Sequence, residues 1–324
     1  IEKETEIEND KIGFIYYFQW RSKLLHLMRL DQIDKGFHPR FETHKLNIDF
    51  TIPDFHASIL LPNKKIYIVG GQNLTQQGLK HKETYQLNIE DMQVTRCADL
   101  ITARDSHSLV FCEGFIYALG GIISDGNDEK TSRKVVTERC ERYDIKNDCW
   151  SEIKPMEYPV CNHCSCVFNK KYIFTFGGRT SSTKLINKIS RYTIATDSWL
   201  TLHMKPSDRI GGFVLTSQAC CRQINSKHIF VFGGYSEERN ISNQSFVLEV
   251  DEESSEKGRR GFEIKYINKK RLIFAAPFWE KQPIIHNNKL YCLQNIITHS
   301  NPKLSYCVSR RVLCFDGKKW SSIC

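Results

Sequence analysis

The stretch HIFVFGGYSE, residues 228–237, places a run of apolar residues directly before two glycines. Nearly the same word occurs as IYIVGGQN (66–73), IYALGGII (116–123) and YIFTFGGRT (172–180). The second glycines lie 50 to 57 residues apart, and two weaker copies, FIYYFQW (14–20) and KLYCLQN (289–295), extend the series. Self-similarity at such a period indicates a repeat architecture, here of six units that cover essentially the whole chain. The doublets are Gly70 and Gly71, Gly120 and Gly121, Gly177 and Gly178, and Gly233 and Gly234.

A second motif follows the doublets and contains two aromatic or aliphatic residues. It is RYDIKNDCW with Tyr143 and Trp150, and RYTIATDSW with Tyr192 and Trp199; the sixth unit shortens it and ends on Trp320. Each unit therefore predicts four short strands, the second ending at the doublet and the fourth beginning at the tryptophan. Four strands in about 50 residues bury too little surface alone. Neighbouring units must therefore pack together, which makes the inner strands apolar on both faces.

The glycines end an inner strand beneath a neighbouring sheet, where positive φ or close backbone approach excludes a Cβ. We expect the aromatic residue that opens the fourth strand to lie across the glycine pair of its own or a neighbouring unit. One further doublet, Gly211 and Gly212, follows the polar PSDRI and is assigned to a connection.

These units resemble kelch repeats, whose signature is a glycine doublet followed by tyrosine and tryptophan. The resemblance spans about the whole chain and is weakest in the first and sixth units, where FQW and LQN replace the doublet. It implies an all-β, six-bladed kelch-type β-propeller with four antiparallel strands per blade, the first and last blades being degenerate. The expected inner strand of the first blade is the polar TEIEND (5–10). We expect one domain over 1–324, with blades at 1–50, 51–100, 101–156, 157–206, 207–275 and 276–324.

Composition narrows the class of protein. Hydrophobic residues make up 40% and aromatic residues 11% of the 324 residues, enough for a buried core. No apolar run approaches the ~20 residues that span a bilayer. The charged start IEKETEIEND has no secretory pattern, and it begins with Ile1 rather than Met. We therefore expect a segment of a longer polypeptide, whose oligomeric state is set by domains outside it.

The thirteen cysteines are odd in number and lie within apolar strand patterns. This indicates buried thiols in a reducing, cytoplasmic environment rather than a disulfide framework. The net charge is +9, but the lysines and arginines are scattered, with one compact cluster, NKKR at 268–271. Such a charge favours acidic partners and is weak evidence for nucleic acid, so we expect neither a nucleic-acid nor a membrane partner.

The motif CNHCSC (161–166) is the candidate metal site. It brings Cys161, His163, Cys164 and Cys166 together, but a structural zinc site needs a second ligand pair, and none follows at a comparable spacing. On a strand, Cys164 and Cys166 face one way and His163 the other. We therefore favour an inner strand with buried thiols and predict no metal.

Histidines recur at one place in three units. His56, His107 and His163 lie 14 or 15 residues before the second glycine. They would either converge as a metal or catalytic cluster or, as we favour, each hydrogen-bond to the neighbouring blade. Asp105, Ser106 and His107 adjoin in sequence, which is not the spatial arrangement of a catalytic triad. No GxxxxGK or G-x-S-x-G motif occurs, and no residues match the ligands of propeller copper oxidases, so we expect no catalytic residue, no cofactor and no enzyme.

On such a scaffold, function lies in the loops. Two loop sets are expected to share one rim: those after the doublets, the longest being IISDGNDEKTSRKVV (122–136), and those that link one blade to the next. The resemblance implies that this rim binds a partner, often through arginines of the linking loops. By position the candidates are Arg104, Arg179, Arg209 and Tyr235, and both residue types are enriched at binding hot spots.

The resemblance implies a non-catalytic scaffold or adaptor that binds another protein or peptide. In related proteins a propeller often follows a dimerising BTB domain and presents substrates to a ubiquitin ligase, which is the function we rank first. A cytoskeleton-associated protein that binds actin or microtubule partners ranks second. A propeller oxidase or other enzyme ranks last.

Overall fold

The computed structural model describes residues 13–19, 21–37, 40–74, 79–124, 133–181, 184–203, 216–235, 242, 245–250, 262–265, 283–297, 308–316 and 320–323. Within these ranges the chain is nearly all β, and its strands form six sheets and one small hairpin. The predicted fold class, a six-bladed β-propeller with four antiparallel strands in most blades, is confirmed.

The first three sheets come from consecutive stretches of chain. They contain β1 (Phe14–Phe18), β2 (Leu24–Arg29) and β3 (Glu42–Lys45) in sheet one; β4 (Ala57–Leu60), β5 (Lys65–Asn73), β6 (Leu79–Asn88) and β7 (Val94–Cys97) in sheet two; and β8 (Ser108–Cys112), β9 (Phe115–Leu119), β12 (Cys140–Asp144) and β13 (Cys149–Ile153) in sheet three. Between β9 and β12 the chain forms a separate hairpin, β10 (Ile122–Ser124) and β11 (Lys134–Val136), and a single helical turn, α1 (Asp31–Asp34), follows β2. The inner strand predicted for the first blade, at 5–10, lies outside the described residues.

The other three sheets repeat the pattern with four strands each. They contain β14 (Cys164–Phe168), β15 (Tyr172–Phe176), β16 (Lys188–Thr193) and β17 (Ser198–His203) in sheet four; β18 (Cys220–Gln223), β19 (His228–Phe232), β20 (Ser245–Val250) and β21 (Phe262–Lys265) in sheet five; and β22 (Ile284–His286), β23 (Lys289–Ile297), β24 (Val308–Phe315) and β25 (Trp320–Ser322) in sheet six. The first strands β4, β8, β14 and β18 neighbour one another in that order, so they line the propeller axis.

Side-chain packing closes the ring. Among the described residues, six clusters of buried apolar side chains each lie between two neighbouring sheets. The sixth joins the two ends of the chain, with Ile15 and Met28 of sheet one against Tyr291 and Val312 of sheet six. Sheets one and six therefore meet as any other pair does.

The inner strands are apolar on both faces because a sheet covers each face. All five residues of β15 are buried. Ile173 belongs to the cluster shared with sheet three, whereas Phe174 and Phe176 belong to the cluster shared with sheet five. This explains the unbroken apolar run before each doublet.

In sheets three to five the glycine doublet directly follows the second strand, whereas β5 continues through its doublet with a shift in register after Val69. The doublets have positive φ, for example +58° at Gly120 and +105° at Gly121. A Cβ on Gly120 would meet the carbonyl oxygen of Val160, in the connection to the next sheet. A Cβ on Gly121 would meet the carbonyl oxygen of Asp105, in the connection into its own sheet. The doublet is thus clamped between two connecting segments.

The position of Trp150 differs from the expectation that the aromatic residue of the fourth strand lies across a glycine pair. It pairs with Tyr143 at the end of sheet three away from its own doublet, and its indole N–H donates to Thr84 Oγ1 (3.2 Å) and to the carbonyl of Ala98 (3.1 Å) in sheet two. The atoms nearest to a Cβ on Gly70 of that sheet belong to Arg104, His107 and His81 instead. The tryptophan therefore packs on the preceding sheet without covering either doublet.

An aspartate two residues before the tryptophan makes a second bond between sheets. Asp148 Oδ1 accepts from the hydroxyl of Tyr143 (2.6 Å) and from the backbone N–H of Ala98 (2.8 Å). Both hydrogen bonds lower the pKa of Asp148, the backbone N–H contributing most. Asp197 repeats the arrangement with Tyr192 and with the backbone N–H of Lys154.

We expect Trp150→Phe to lower the free energy of unfolding by about 1–2 kcal/mol more than Trp320→Phe. Both substitutions remove the same atoms from a buried site, but the indole N–H of Trp320 has no hydrogen-bond partner among the described residues. The difference therefore isolates the bonds to Thr84 and Ala98. Urea denaturation followed by circular dichroism measures it, and equal losses would contradict this role.

Candidate partner-binding cavity at the propeller rim

Two loop sets meet at one end of the propeller through a repeated backbone bridge. The residue after each doublet pairs with a residue of the connection that enters the same sheet. The bridges are Asp54 with Gln72, Asp105 with Ile122, Cys161 with Arg179, and Ser217 with Tyr235. This rim carries the loops after the doublets and the loops between blades.

A belt of left-handed residues runs around the inside of this rim. Phe55, Ser106, Asn162 and Gln218 have φ between +53° and +58°. Three of them donate a backbone N–H to the equivalent carbonyl of the preceding blade: Ser106 to Phe55 (3.1 Å), Asn162 to Ser106 (2.9 Å) and Gln218 to Asn162 (2.7 Å). Non-glycine residues occupy this conformation at a cost of about 1–3 kcal/mol, which these bonds between blades offset. The belt fixes the spacing of the rim loops.

A cavity of about 980 Å³ opens at the rim over sheets three to five. Its volume is at the upper end of the range typical of ligand-binding clefts. The walls come from the hairpin β10–β11, from two inter-blade connections and from the residues after two doublets. They comprise Ile122, Lys134, Val135, Val136, Pro159, Cys161, Asn162, Arg179, Thr180, Ser181, Ser217, Gln218 and Tyr235.

The lining of this cavity, as far as the structure describes it, contains two cations and no carboxylate. Lys134 is exposed and donates to Gln72 Oε1 at 3.5 Å. Arg179 is largely buried and is held by backbone bridges to Cys161 and Leu185. Burial raises the pKa of Tyr235, so its phenol stays neutral and can donate a hydrogen bond. Such a wall favours an anionic ligand that also accepts hydrogen bonds.

Two of the candidate rim residues, Arg179 and Tyr235, line the cavity together. Arg209 lies outside the described residues. The cavity also contains Lys134, which the sequence analysis missed. Its signal was its place in the loop that follows the second doublet, which is the longest loop of its set.

The assignment of Arg104 to the exposed rim is wrong. Arg104 is fully buried, and its Nη2 forms an ion pair with the buried Glu141 at 2.5 Å. Its Nη1 donates to the carbonyls of Gly120 (2.8 Å) and Arg139 (2.7 Å). Arg104 therefore stabilises the connection between sheets two and three and has no surface to offer a partner.

The neighbouring Asp105, Ser106 and His107 also have separate structural places. Asp105 forms a buried ion pair with Lys80, whose ammonium also donates to Gln72 Oε1 at 3.1 Å. Ser106 belongs to the left-handed belt, and His107 lies buried beneath Gly70.

The thiol motif lies inside the propeller. Cys164 and Cys166 belong to the apolar cluster between sheets four and five, and His163 lies buried beneath Gly120. Every cysteine that the structure describes is a free thiol. Across the described ranges, no group of three or more His, Cys, Asp or Glu side chains is arranged to hold a metal ion. No helix in these ranges is long and apolar enough to span a bilayer.

Comparisons with known proteins support this architecture. Residues 66–266 match the family model described as the Attractin/LZTR1 beta-propeller. The chain is 27% identical over 180 residues to kelch repeat and BTB domain-containing protein 2 of cowpox virus (strain GRI-90 / Grishak), an alignment covering 49% of this chain and 30% of that protein. It is 26% identical over 136 residues to kelch-like protein 25 of Rattus norvegicus, covering 42% of this chain and 22% of that protein. The alignments thus span less than a third of these relatives' lengths.

A solved structure of YjhT matches over 98% of this chain and 95% of its own, with a TM-score of 0.67 and 12% sequence identity. At this identity the likeness shows the fold alone. The structural match covers all six sheets, including the first and the last, which lie outside the residues matched by the family model.

Proposed function

The chain belongs to the Attractin/LZTR1 β-propeller family and is a kelch-repeat propeller, and we propose that it is a non-catalytic recognition module for an acidic segment of another protein. The segment binds at the rim cavity over sheets three to five. There the ligand contacts Arg179 and Tyr235 together with Lys134, and its carboxylates lie beside the two cations.

The composition of the cavity wall carries this proposal. It is concave, and the residues that the structure describes there provide neutral hydrogen-bonding groups from Asn162, Ser217 and Gln218 and charged groups of one sign. Tyrosine and arginine, both present in this wall, are the residue types that dominate binding energies at protein interfaces. Positive potential in a cleft also raises the association rate of an acidic partner.

We extend the proposal to the full-length protein through its relatives. One of them is named for a BTB domain as well as for kelch repeats. The propeller is then the substrate-recognition part of an adaptor of the ubiquitin-ligase type, acting in the reducing cytoplasm. In such an adaptor the cavity selects the substrate, and the catalytic chemistry belongs to other subunits.

The test uses a display library of random twelve-residue peptides, selected on the immobilised chain. We expect the recovered peptides to be rich in Asp and Glu, and their affinity to fall as salt concentration rises. Lys134→Glu should weaken binding at least tenfold, because it places like charge against the ligand. Lys134 is exposed, so its reversal leaves folding intact.

The matched control is Lys146→Glu, which makes the same charge change. Lys146 is exposed in the turn between β12 and β13, at the end of sheet three away from the doublet. It should leave peptide affinity unchanged within about twofold. A library without acidic enrichment, or equal affinities of the two variants, would overturn the proposed site.

A further inference from the structure

The hairpin β10–β11 has one edge occupied and one edge open. Ile122 of β10 exchanges both backbone hydrogen bonds with Asp105, at 2.8 and 3.0 Å. In an antiparallel pair the backbone groups of one residue point alternately toward and away from the partner strand. Ile122 is opposite Val136, and its backbone groups face Asp105, so the N–H and C=O of Val136 must point away from β10.

The bond from the backbone N–H of Thr137 to the carbonyl of Gly121 (3.0 Å) confirms this register. Lys134, two residues before Val136, presents its N–H and C=O on the same outer side. Among the described residues, β11 pairs with β10 and with no other strand. A short row of backbone donors and acceptors is therefore available on the outer side of β11.

This open edge borders the electropositive cavity. Lys134, Val135 and Val136 all line the cavity, with Arg179 in the same wall. An unpaired strand edge is a template for an added strand, and main-chain hydrogen bonds then supply affinity. The cations would lie within reach of side chains that project from such a strand.

We propose that an extended acidic segment of the partner protein adds to β11 as a third strand of this hairpin. The inference rests on the proposed function and specifies how the ligand is held: its backbone bonds to Val136 and Lys134. Its carboxylates, spaced two residues apart on one face, lie beside Lys134 and Arg179.

The charge of this edge favours an acidic strand of a partner protein over a second copy of the chain. Two copies joined through β11 would bring two Lys134 side chains and two positive cavities together, and a lysine on an edge strand opposes such self-pairing. An acidic strand meets the same edge with opposite charge. The partner is therefore recognised by an extended backbone combined with carboxylates at alternate positions.

The experiment measures the affinity of an acidic peptide recovered by the selection described above. In the protein, Val136→Pro removes the outward N–H, and Val136→Thr keeps it at nearly the same volume. We expect Val136→Pro to weaken binding at least tenfold and Val136→Thr less than twofold. The melting temperature of Val136→Pro should stay unchanged, because this N–H makes no bond within the described residues of the free protein.

In the peptide, N-methylation at alternate residues should weaken binding at least tenfold, and at the intervening residues less than twofold. This arm decides the question even if Val136→Pro fails to fold. Equal effects at all positions, or a peptide pattern of acidic residues four apart, would overturn strand addition.

The outcomes separate the two proposals. If Lys134→Glu weakens binding but Val136→Pro and N-methylation do not, strand addition is wrong and the proposed function stands. If neither protein variant weakens binding, or the selection recovers no peptide, both are wrong. A dimer in sedimentation that Val136→Pro dissociates would make a second copy the occupant and overturn the inference.

Discussion

Gly120→Ala is expected to lower the free energy of unfolding by about 2–5 kcal/mol. The new Cβ would lie 2.3 Å from the carbonyl oxygen of Val160, a backbone atom in the connection to sheet four. Met156 and His163 also lie close to this Cβ, at 3.1 and 3.3 Å, so these neighbours or the backbone must move to accommodate it. The φ of +58° adds strain for any residue with a Cβ.

Gly114→Ala separates the steric clash from the backbone strain. Gly114 also has positive φ, +87°, but a Cβ there would meet nothing within 4 Å. We expect it to cost only the backbone strain, about 1–2 kcal/mol. Urea denaturation of the two variants gives the difference, which measures how tightly the connection to sheet four packs against the second doublet. Equal losses would show that the doublets serve backbone conformation alone.

The repeat could be derived from the sequence because the strands of each unit are encoded by local patterns. The apolar run of β15 predicts a buried strand, and the doublet after it predicts where that strand ends. The seven-residue spacing of Tyr192 and Trp199 fixes the hairpin of β16 and β17, where the two residues are directly opposite. Periodicity and turn length were sufficient for these elements.

The contacts between blades could not be derived in the same way, because they join residues about one repeat apart without a pattern in composition. Asp148 bonds to the backbone of Ala98, 50 residues earlier, and nothing in NDCW distinguishes this aspartate from an ordinary turn residue. Residue type does not reveal the left-handed belt either, since the side chains of Phe55, Ser106 and Gln218 have no chemistry in common. Its sequence signal is positional: each belt residue lies two residues before the start of an inner strand, and three of the four directly precede a histidine.

The candidate site likewise combines residues that sequence position predicts with residues that it does not. Position after a doublet was enough to place Arg179 and Tyr235 in the cavity wall, because the bridge that holds this position repeats in four sheets. Position in a linking loop did not suffice for Arg104. Its environment depends on Glu141, a strand residue 37 positions later, whose burial the pattern of β12 does not reveal. The role of Arg179 and Tyr235 in binding stays a prediction.

Arg104→Met is expected to lower the free energy of unfolding by about 3–5 kcal/mol. The substitution leaves the carboxylate of Glu141 buried without its cation, and it removes the donors to the carbonyls of Gly120 and Arg139. The backbone N–H groups of Ile101 and Thr102 still bond to Glu141, at 2.7 and 3.1 Å, so the charge keeps part of its solvation. Glu141→Gln should cost a similar amount.

The double substitution decides whether the pair acts as one unit. If each single loss arises from an uncompensated buried charge, Arg104→Met with Glu141→Gln should cost about as much as either alone. The exposed pair of Lys64 and Glu90, at 2.7 Å, gives the control, and Lys64→Met should cost less than about 1 kcal/mol because solvent screens that pair. Additive losses at Arg104 and Glu141 would contradict a coupled ion pair.

The same variant separates a structural role of Arg104 from a role in binding. Below its melting temperature, folded Arg104→Met should bind an acidic peptide with the affinity of the unchanged protein, because a fully buried guanidinium cannot contact a ligand. A residue of the binding surface would give the opposite result, with weaker binding at an unchanged melting temperature. That outcome would require the connection between sheets two and three to open when the partner binds. Arg104 would then be a residue of the binding rim.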